Sequence, residues 1–407
     1  MSVEVRHGDC IEVMASLEAE SVHCVVTSPP YWGLRDYGVD GQIGLEPTPE
    51  AWCARLVEVF REVRRVLRPD GVLWLNIGDS YATGAGKVGD HPGGGNDGER
   101  ARRCAPGTPL NRMPTAGLKP KDLIGQPWLL AFALRADGWW LRSEVIWNKP
   151  NPMPESVRDR PTKAHEQVFL LTKSASYYYD QEAVRERGQD WGPRDRTCTK
   201  HNGEAFRAAG QPPHRGLTNG DASAGRNARS VWTIATEPFS EAHFATFPTE
   251  LARRCILAGT SAKGCCPACG VPWQRVVERM EWPGRAYSAT KYDAATRAGP
   301  LPGSRQAYRA MGIEGPPAPT TTGWHPACAC NAGEPIPCTV LDCFGGSGTT
   351  GLVADQLGRD AILIDLNPEY AEMARCRIQH ARARRAIGPV DQPAAAMPGQ
   401  GDMFAAT

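Results

Sequence analysis

Thr339-Val-Leu-Asp342-Cys-Phe-Gly345-Gly346-Ser-Gly348-Thr-Thr-Gly351 is an apolar strand that enters a glycine-rich corner and leaves it as a helix. Glycine lets a backbone turn sharply and approach a ligand closely, and a helix that starts there points its free N–H groups at whatever binds. Twenty-three residues after Asp342 a second apolar run, Ala361 to Ile364, ends in Asp365. A doubly wound nucleotide-binding unit places a carboxylate for ribose hydroxyls at that point. The stretch therefore predicts an α/β fold with a cofactor site at the C-terminal ends of its strands. Gly346-x-Gly348-x-x-Gly351 also satisfies the dinucleotide fingerprint, so an NAD-linked oxidoreductase is a rival reading.

Outward from this unit the pattern stays αβ. Val3 to Val5 and Cys24 to Val26 read as short buried strands, closed by the corners Gly8-Asp9 and Ser28-Pro29-Pro30. From Glu50 to Arg68 the apolar residues Trp52, Leu56, Val59, Phe60, Val63, Val66 and Leu67 recur at threes and fours, which predicts an amphipathic helix opened at Thr48-Pro49 and stopped at Pro69-Asp70-Gly71. Val72 to Ile77, Ser143 to Trp147 and Gln167 to Thr172 read as strands. Trp128 to Leu134, a segment from Phe247 to Ala258, and Pro368 to about Arg385 with Asn367 as cap read as helices. No internal repeat is present.

The second chemistry-bearing corner is Val25-Val26-Thr27-Ser28-Pro29-Pro30-Tyr31-Trp32. Two prolines fix the backbone and remove two N–H groups, leaving nearby carbonyls free as acceptors. An exocyclic base amine is a poor nucleophile because its lone pair is delocalised into the ring. Two acceptors that hold its hydrogens, Ser28 oxygen and the Pro29 carbonyl, would favour a pyramidal nitrogen, and Tyr31 offers a flat face for a base taken out of the duplex. Such a corner fits a methyl donor better than a dinucleotide. Asp342 at its strand end suits the amino group of a methionine moiety and would sit poorly beside a pyrophosphate.

With these motifs the sequence resembles the amino-group DNA methyltransferases of restriction-modification systems and phages, in the circular order that puts the Ser-Pro-Pro-Tyr motif first. The matching pieces are Gly8-Asp9, Thr27 to Tyr37, Ile146 to Pro154, Phe244 to Leu251, Leu341 to Thr350 and Ile364 to Tyr370. The resemblance implies a class I S-adenosylmethionine-dependent methyltransferase fold, a Rossmann-like, mostly parallel sheet with helices on both faces and inserted DNA-recognition loops. It implies a site-specific enzyme acting on double-stranded DNA, with cytosine N4 as the expected acceptor because Ser precedes Pro-Pro-Tyr, and adenine N6 as the alternative. Ser28, Pro29, Pro30 and Tyr31 would be catalytic. Asp342, Phe344, Gly345, Gly346, Ser347 and Gly348 would line the methionine end of the cofactor, Asp365 its ribose and Asp9 its adenine, while Phe247 and Pro248 would close over it. Cys343 stands where Pro is common. No cysteine nucleophile follows Pro-Pro, so a covalent carbon-5 route is not expected. Direct in-line displacement remains, with the spent proton leaving to Ser28, Asp36 or water. RNA or protein acceptors, and a non-catalytic zinc-bearing DNA-binding protein, are remoter readings.

The 407 residues exclude a disulfide-stapled miniprotein, and the near-balance of 46 Lys+Arg against 45 Asp+Glu means a polyanion must meet a local patch. No export signal or run of about 18 apolar residues is visible, so a soluble, cytoplasmic protein with no membrane partner is expected. Five of the 14 cysteines fall between Cys265 and Cys330. Cys266-x-x-Cys269 and Cys328-x-Cys330 offer two thiolate pairs for a structural zinc, with Cys265 and His325 as spare candidates.

The expected organisation is a catalytic half (1–82), a mobile insertion (83–121), more of the methyltransferase domain (122–180) and a target-recognition insertion (181–235). A cofactor-closing segment (236–262), a zinc-ribbon-like insertion (263–335), the cofactor-binding half (336–386) and a disordered tail (387–407) follow. Within 190–229 the basic side chains Arg194, Arg196, Lys200, Arg207, Arg215, Arg226 and Arg229 form a local excess suited to phosphates. A restriction nuclease acting on the same site is a possible partner.

Overall fold

The computed structural model describes residues 2–82, 118–186, 225–237, 246–278 and 319–387. Most of the expected insertions at 83–121, 181–235 and 263–335, part of the closing segment and nearly all of the tail lie outside these residues, as do Arg194, Arg196, Lys200, Arg207, Arg215 and Phe244.

Strands β1 (Val3–His7), β2 (Val22–Thr27), β3 (Leu67–Ile77), β4 (Trp140–Asn148), β5 (His165–Thr172), β6 (Val231–Thr233), β9 (Thr339–Asp342) and β10 (Asp360–Asp365) form one eight-stranded sheet in the order β1-β10-β9-β2-β3-β5-β4-β6. Pairing is parallel from β1 through β3, antiparallel on both sides of β5, and parallel again between β4 and β6. The expectation of a mostly parallel sheet is met, with β5 reversed. β2 is buried at all six positions, His23 and Thr27 included, as a strand of a sheet covered on both faces is.

Helices α1 (Cys10–Ala15), α2 (Pro49–Val66) and α3 (Gln126–Ala136) cover one face, and α4 (Thr249–Gly259) and α5 (Thr349–Gln356) cover the other. The last helix, α6 (Pro368–Ile387), packs on β1, β10 and α5 through Ala374 and Ile378. The apolar stripe of α2 turns inward as its spacing predicts: Trp52, Leu56, Val59, Phe60, Val63 and Val66 are buried, and Thr48 accepts from Ala51 N at 3.1 Å as N-cap. Its end differs. Leu67 already pairs with Val22, so Pro69-Asp70-Gly71 lies inside a kinked β3 and is not a separating turn. The segment from Phe247 becomes helical only at Thr249, with Pro248 as its cap. Asn367 caps α6 as expected, accepting from Glu369 N.

Between α4 and β9, β7 (Gln274–Glu278) and β8 (Thr320–His325) form an antiparallel hairpin within the described residues of the expected insertion, 263–278 and 319–335. Arg275 locks it to the body through Asp180, which is buried, at 2.7 Å.

Candidate active site

β2 and β9 are neighbours, so the Ser-Pro-Pro-Tyr corner and the glycine-rich corner leave the sheet side by side. Their joint is buried. Thr27 Oγ1 donates to Asp342 Oδ1 at 2.7 Å, Thr350 Oγ1 donates to Oδ2 at 2.7 Å, and Phe344 N reaches Oδ1 at 3.1 Å. Asp342 is 1% exposed, and burial outweighs these donors to push its carboxyl up to about 6. Asp342, expected to receive a ligand's amino group, stands behind the cavity wall. Its carboxylate is engaged beneath the turn, so it braces two corners against each other, and the cavity wall begins at Cys343.

That wall belongs to a cavity of about 630 Å³ that collects both corners. Ser28, Pro29, Pro30 and Tyr31 line it together with Phe344, Gly345, Gly346 and Ser347, and Asp9, Asp365, Phe247, Tyr37 and Tyr370 complete the wall. Gly348 and Pro248, expected at the cofactor, are not on its wall. Gly348 caps α5 at φ +77°, and a Cβ there would lie 2.8 Å from Ala374 Cβ, so this glycine serves close helix packing. Asp36, one expected proton acceptor, also lies off the wall and instead accepts from Gly38 N at 2.8 Å.

Asp365 keeps room for a ligand. Gly346 N donates to its Oδ2 at 2.7 Å and Asn367 N to its Oδ1 at 2.8 Å, one bond per oxygen, and each oxygen has a second lone pair for a ligand hydroxyl. Burial raises its carboxyl above the ordinary aspartate value. Asp9 accepts from Ile11 N at 2.8 Å and so opens α1 at the cavity edge.

The Ser-Pro-Pro-Tyr end holds a network that the sequence does not announce. Tyr31 Oη donates to Glu166 Oε2 at 3.1 Å, and Asn76 Nδ2 donates to the same oxygen at 3.0 Å. Ser28 Oγ lies 3.5 Å from both Tyr31 Oη and Asn76 Nδ2, and Lys149 Nζ pairs with Glu166 Oε1. Burial first and Glu166 second hold the Tyr31 phenol well above its usual value, so it stays a neutral donor. Gly78 lies against the ring, where a Cβ would come within 3.0 Å of Tyr31 Cε2. Asn76 is 6% exposed and its Oδ1 has no hydrogen-bond partner among the described residues. Trp32, by contrast, is buried structure, with its indole on Glu46 O at 2.7 Å. Lys149 lies within Ile146 to Pro154, a stretch that carries the resemblance but to which the sequence assigns no role; Asn76 and Glu166 lack even that signal.

The sulfurs of Cys266, Cys269, Cys328 and Cys330 lie within 4.8 Å of one another. Gly270, at φ +70°, closes the first pair's turn, with Gly270 N on Cys266 O at 2.8 Å. Arg68 Nη1 fixes the turn from below on Cys269 O at 2.8 Å. Neither spare candidate joins this cluster. Cys265 sits with Cys338 and His23, and His325 turns its Nδ1 toward Pro326 O at 3.0 Å. Both His23 nitrogens are occupied, Nδ1 by Thr339 N and Nε2 on Gly270 O. Of the expected basic excess, Arg226 and Arg229 are described, and both pair with Glu186.

Comparison with known proteins gives the family. The N6_N4_Mtase family, described as DNA methylase, matches residues 22–266 and 338–375. The type II methyltransferase M.Cfr9I of Citrobacter freundii is 40% identical over 372 residues, covering 91% of this chain and 86% of that protein. M.SmaI of Serratia marcescens, also a type II methyltransferase, is 39% identical over 381 residues, covering 94% and 92%. Among solved structures, the PvuII DNA methyltransferase (cytosine-N4-specific) aligns over 95% of each chain at 15% identity and a TM-score of 0.48. The NAD-linked reading falls away, and the chain belongs to the N6/N4 family of DNA methylases.

Proposed function

We propose that the protein is a site-specific, S-adenosylmethionine-dependent DNA methyltransferase that modifies cytosine at N4. The observation that carries this reading is the single cavity in which Ser28-Pro29-Pro30-Tyr31 meets the glycine-rich turn and Asp365. The residues fit the cofactor. Asp365 keeps acceptor capacity for ribose hydroxyls, Phe344 to Ser347 supply a close backbone wall, and Phe247 and Asp9, both on the cavity wall, offer a surface for an adenine. When bound, S-adenosylmethionine supplies an electrophilic methyl on a good leaving group.

This chain's own residues then position the acceptor. Ser28 Oγ and the Pro29 carbonyl hold the amine hydrogens, and the prolines keep that corner rigid and poor in competing donors. Tyr31 stacks the extruded base, its ring fixed by Glu166 at one end and by Gly78 on its flank. Glu166 is held in place by its ion pair with Lys149, which makes it a positioning residue for Tyr31 and Asn76. Cytosine is preferred because Ser28, and not Asp or Asn, heads the motif. Incubation with tritiated S-adenosylmethionine and unmethylated DNA should label DNA at one short sequence, mapped by sequencing the product; label in RNA or protein alone would refute it.

We further propose that Cys266, Cys269, Cys328 and Cys330 hold a structural zinc. Zinc–sulfur bonds of about 2.3 Å in a tetrahedron set sulfurs about 3.8 Å apart, which the observed 4.8 Å limit accommodates. Four protein ligands leave no open position, so the role is to fold the hairpin.

A further inference from the structure

We propose that Met153 is the wedge that enters the DNA stack when the target base leaves it. The proposal rests on the base-extruding reading of the cavity. Met153 is 73% exposed, the largest exposure of any large apolar side chain among the described residues, yet it lines the same cavity as Ser28 and Tyr31. Leaving so much apolar surface in water forgoes the hydrophobic gain that a covering partner would bring.

The segment is built to present it. Asn151-Pro152-Met153-Pro154 lies in the connection between β4 and β5, so both ends are fixed in the sheet. Lys149 N donates to Ala164 O at 2.8 Å across the base of that connection, and Asn151 Oδ1 accepts from Thr236 N at 3.0 Å. Prolines on both sides of Met153 restrict the backbone and remove the N–H groups that would hold water around the tip. Lys163, on the same cavity wall, has no carboxylate in hydrogen-bond contact among the described residues, and burial lowers its ammonium below the usual lysine value. An ammonium so placed suits the phosphate beside the extruded nucleotide.

The occupant follows from this continuity. A base that reaches Tyr31 leaves a gap in the duplex, and apolar wedges, methionine among them, fill such gaps where proteins unstack DNA. Methionine's unbranched, polarizable side chain adapts to the base faces around it.

The test uses the full-length protein and a duplex carrying the sequence it methylates, in two forms: fully paired, and with the target base opposite an abasic position so that pairing no longer opposes extrusion. On the paired duplex Met153→Ala should lose about tenfold or more in kcat/KM, and on the unpaired form it should stay within about twofold of wild type. Met153→Leu should retain most activity on both, and cofactor affinity should be unchanged in either variant. Equal losses on the two duplexes, or no loss on the paired one, would overturn the wedge. Failure of wild type to methylate either duplex would instead refute the reading on which it rests.

Discussion

Asp342 and Glu166 are two carboxylates with different partners, and each makes a separate demand on the site. Asp342 has two hydroxyls and one amide but no cation against it, so burial raises its carboxyl to about 6. A carboxyl raised in the folded state binds its proton more tightly than the unfolded chain does. Its contribution is therefore fully favourable below about 4 and is lost as pH rises through about 6. Asp342→Asn removes that dependence. The stability of the variant relative to wild type should climb by up to about 3 kcal/mol between pH 4 and 6 and then level, as read from urea midpoints in a pH series. A flat difference would show that Asp342 is not protonated in the fold. Glu166 has Lys149 beside it and donors from Tyr31 and Asn76. Glu166→Gln should lower kcat about tenfold through misplacement of Tyr31, with the dissociation constant for S-adenosylmethionine unchanged in calorimetry. Comparable weakening of cofactor binding would contradict a role confined to positioning Tyr31.

The glycine corner shows what an element demands of its neighbours. Gly348 opens α5 in the left-handed region and lets Ala374 of α6 approach, so Gly348→Ala meets both strain and a clash at 2.8 Å. A loss of about 1–3 kcal/mol in chemical denaturation is expected, with cofactor binding weakened as α5 shifts. The elements that are legible in the sequence are those whose signal is local. The stripe of α2, the cap at Asn367 and the strand-to-glycine corner at Asp342 each declare themselves within a few residues. The direction of β5 does not, because the apolar run Val168 to Leu171 reads the same in either sense and only pairing with β3 and β4 sets it. The Tyr31 network is illegible for a related reason: Asn76 and Glu166 are 90 positions apart, and only adjacent β3 and β5 bring them together. Likewise Asp342 is visible as a strand-end carboxylate, while Thr27, 315 positions away, decides that it braces the fold.

At the scale of the molecule the two corners come from opposite ends of the chain and meet because β2 and β9 pair, so neither half carries the site alone. The cysteine hairpin stands apart from the cavity, tied to the body by Arg275 on Asp180 and Arg68 on Cys269. Protein purified without chelator should carry about one zinc per chain, and Cys328→Ser should lose it while cofactor affinity stays within about twofold. Metal analysis and calorimetry on the same samples check both halves of that statement. The most direct test of the whole account is mass spectrometry of nucleosides released from unmethylated DNA after incubation with the protein and S-adenosylmethionine, beside a Ser28→Ala control. N4-methylcytosine that vanishes in the control is the predicted result; N6-methyladenine, or N4-methylcytosine that persists at full yield without Ser28, would contradict it.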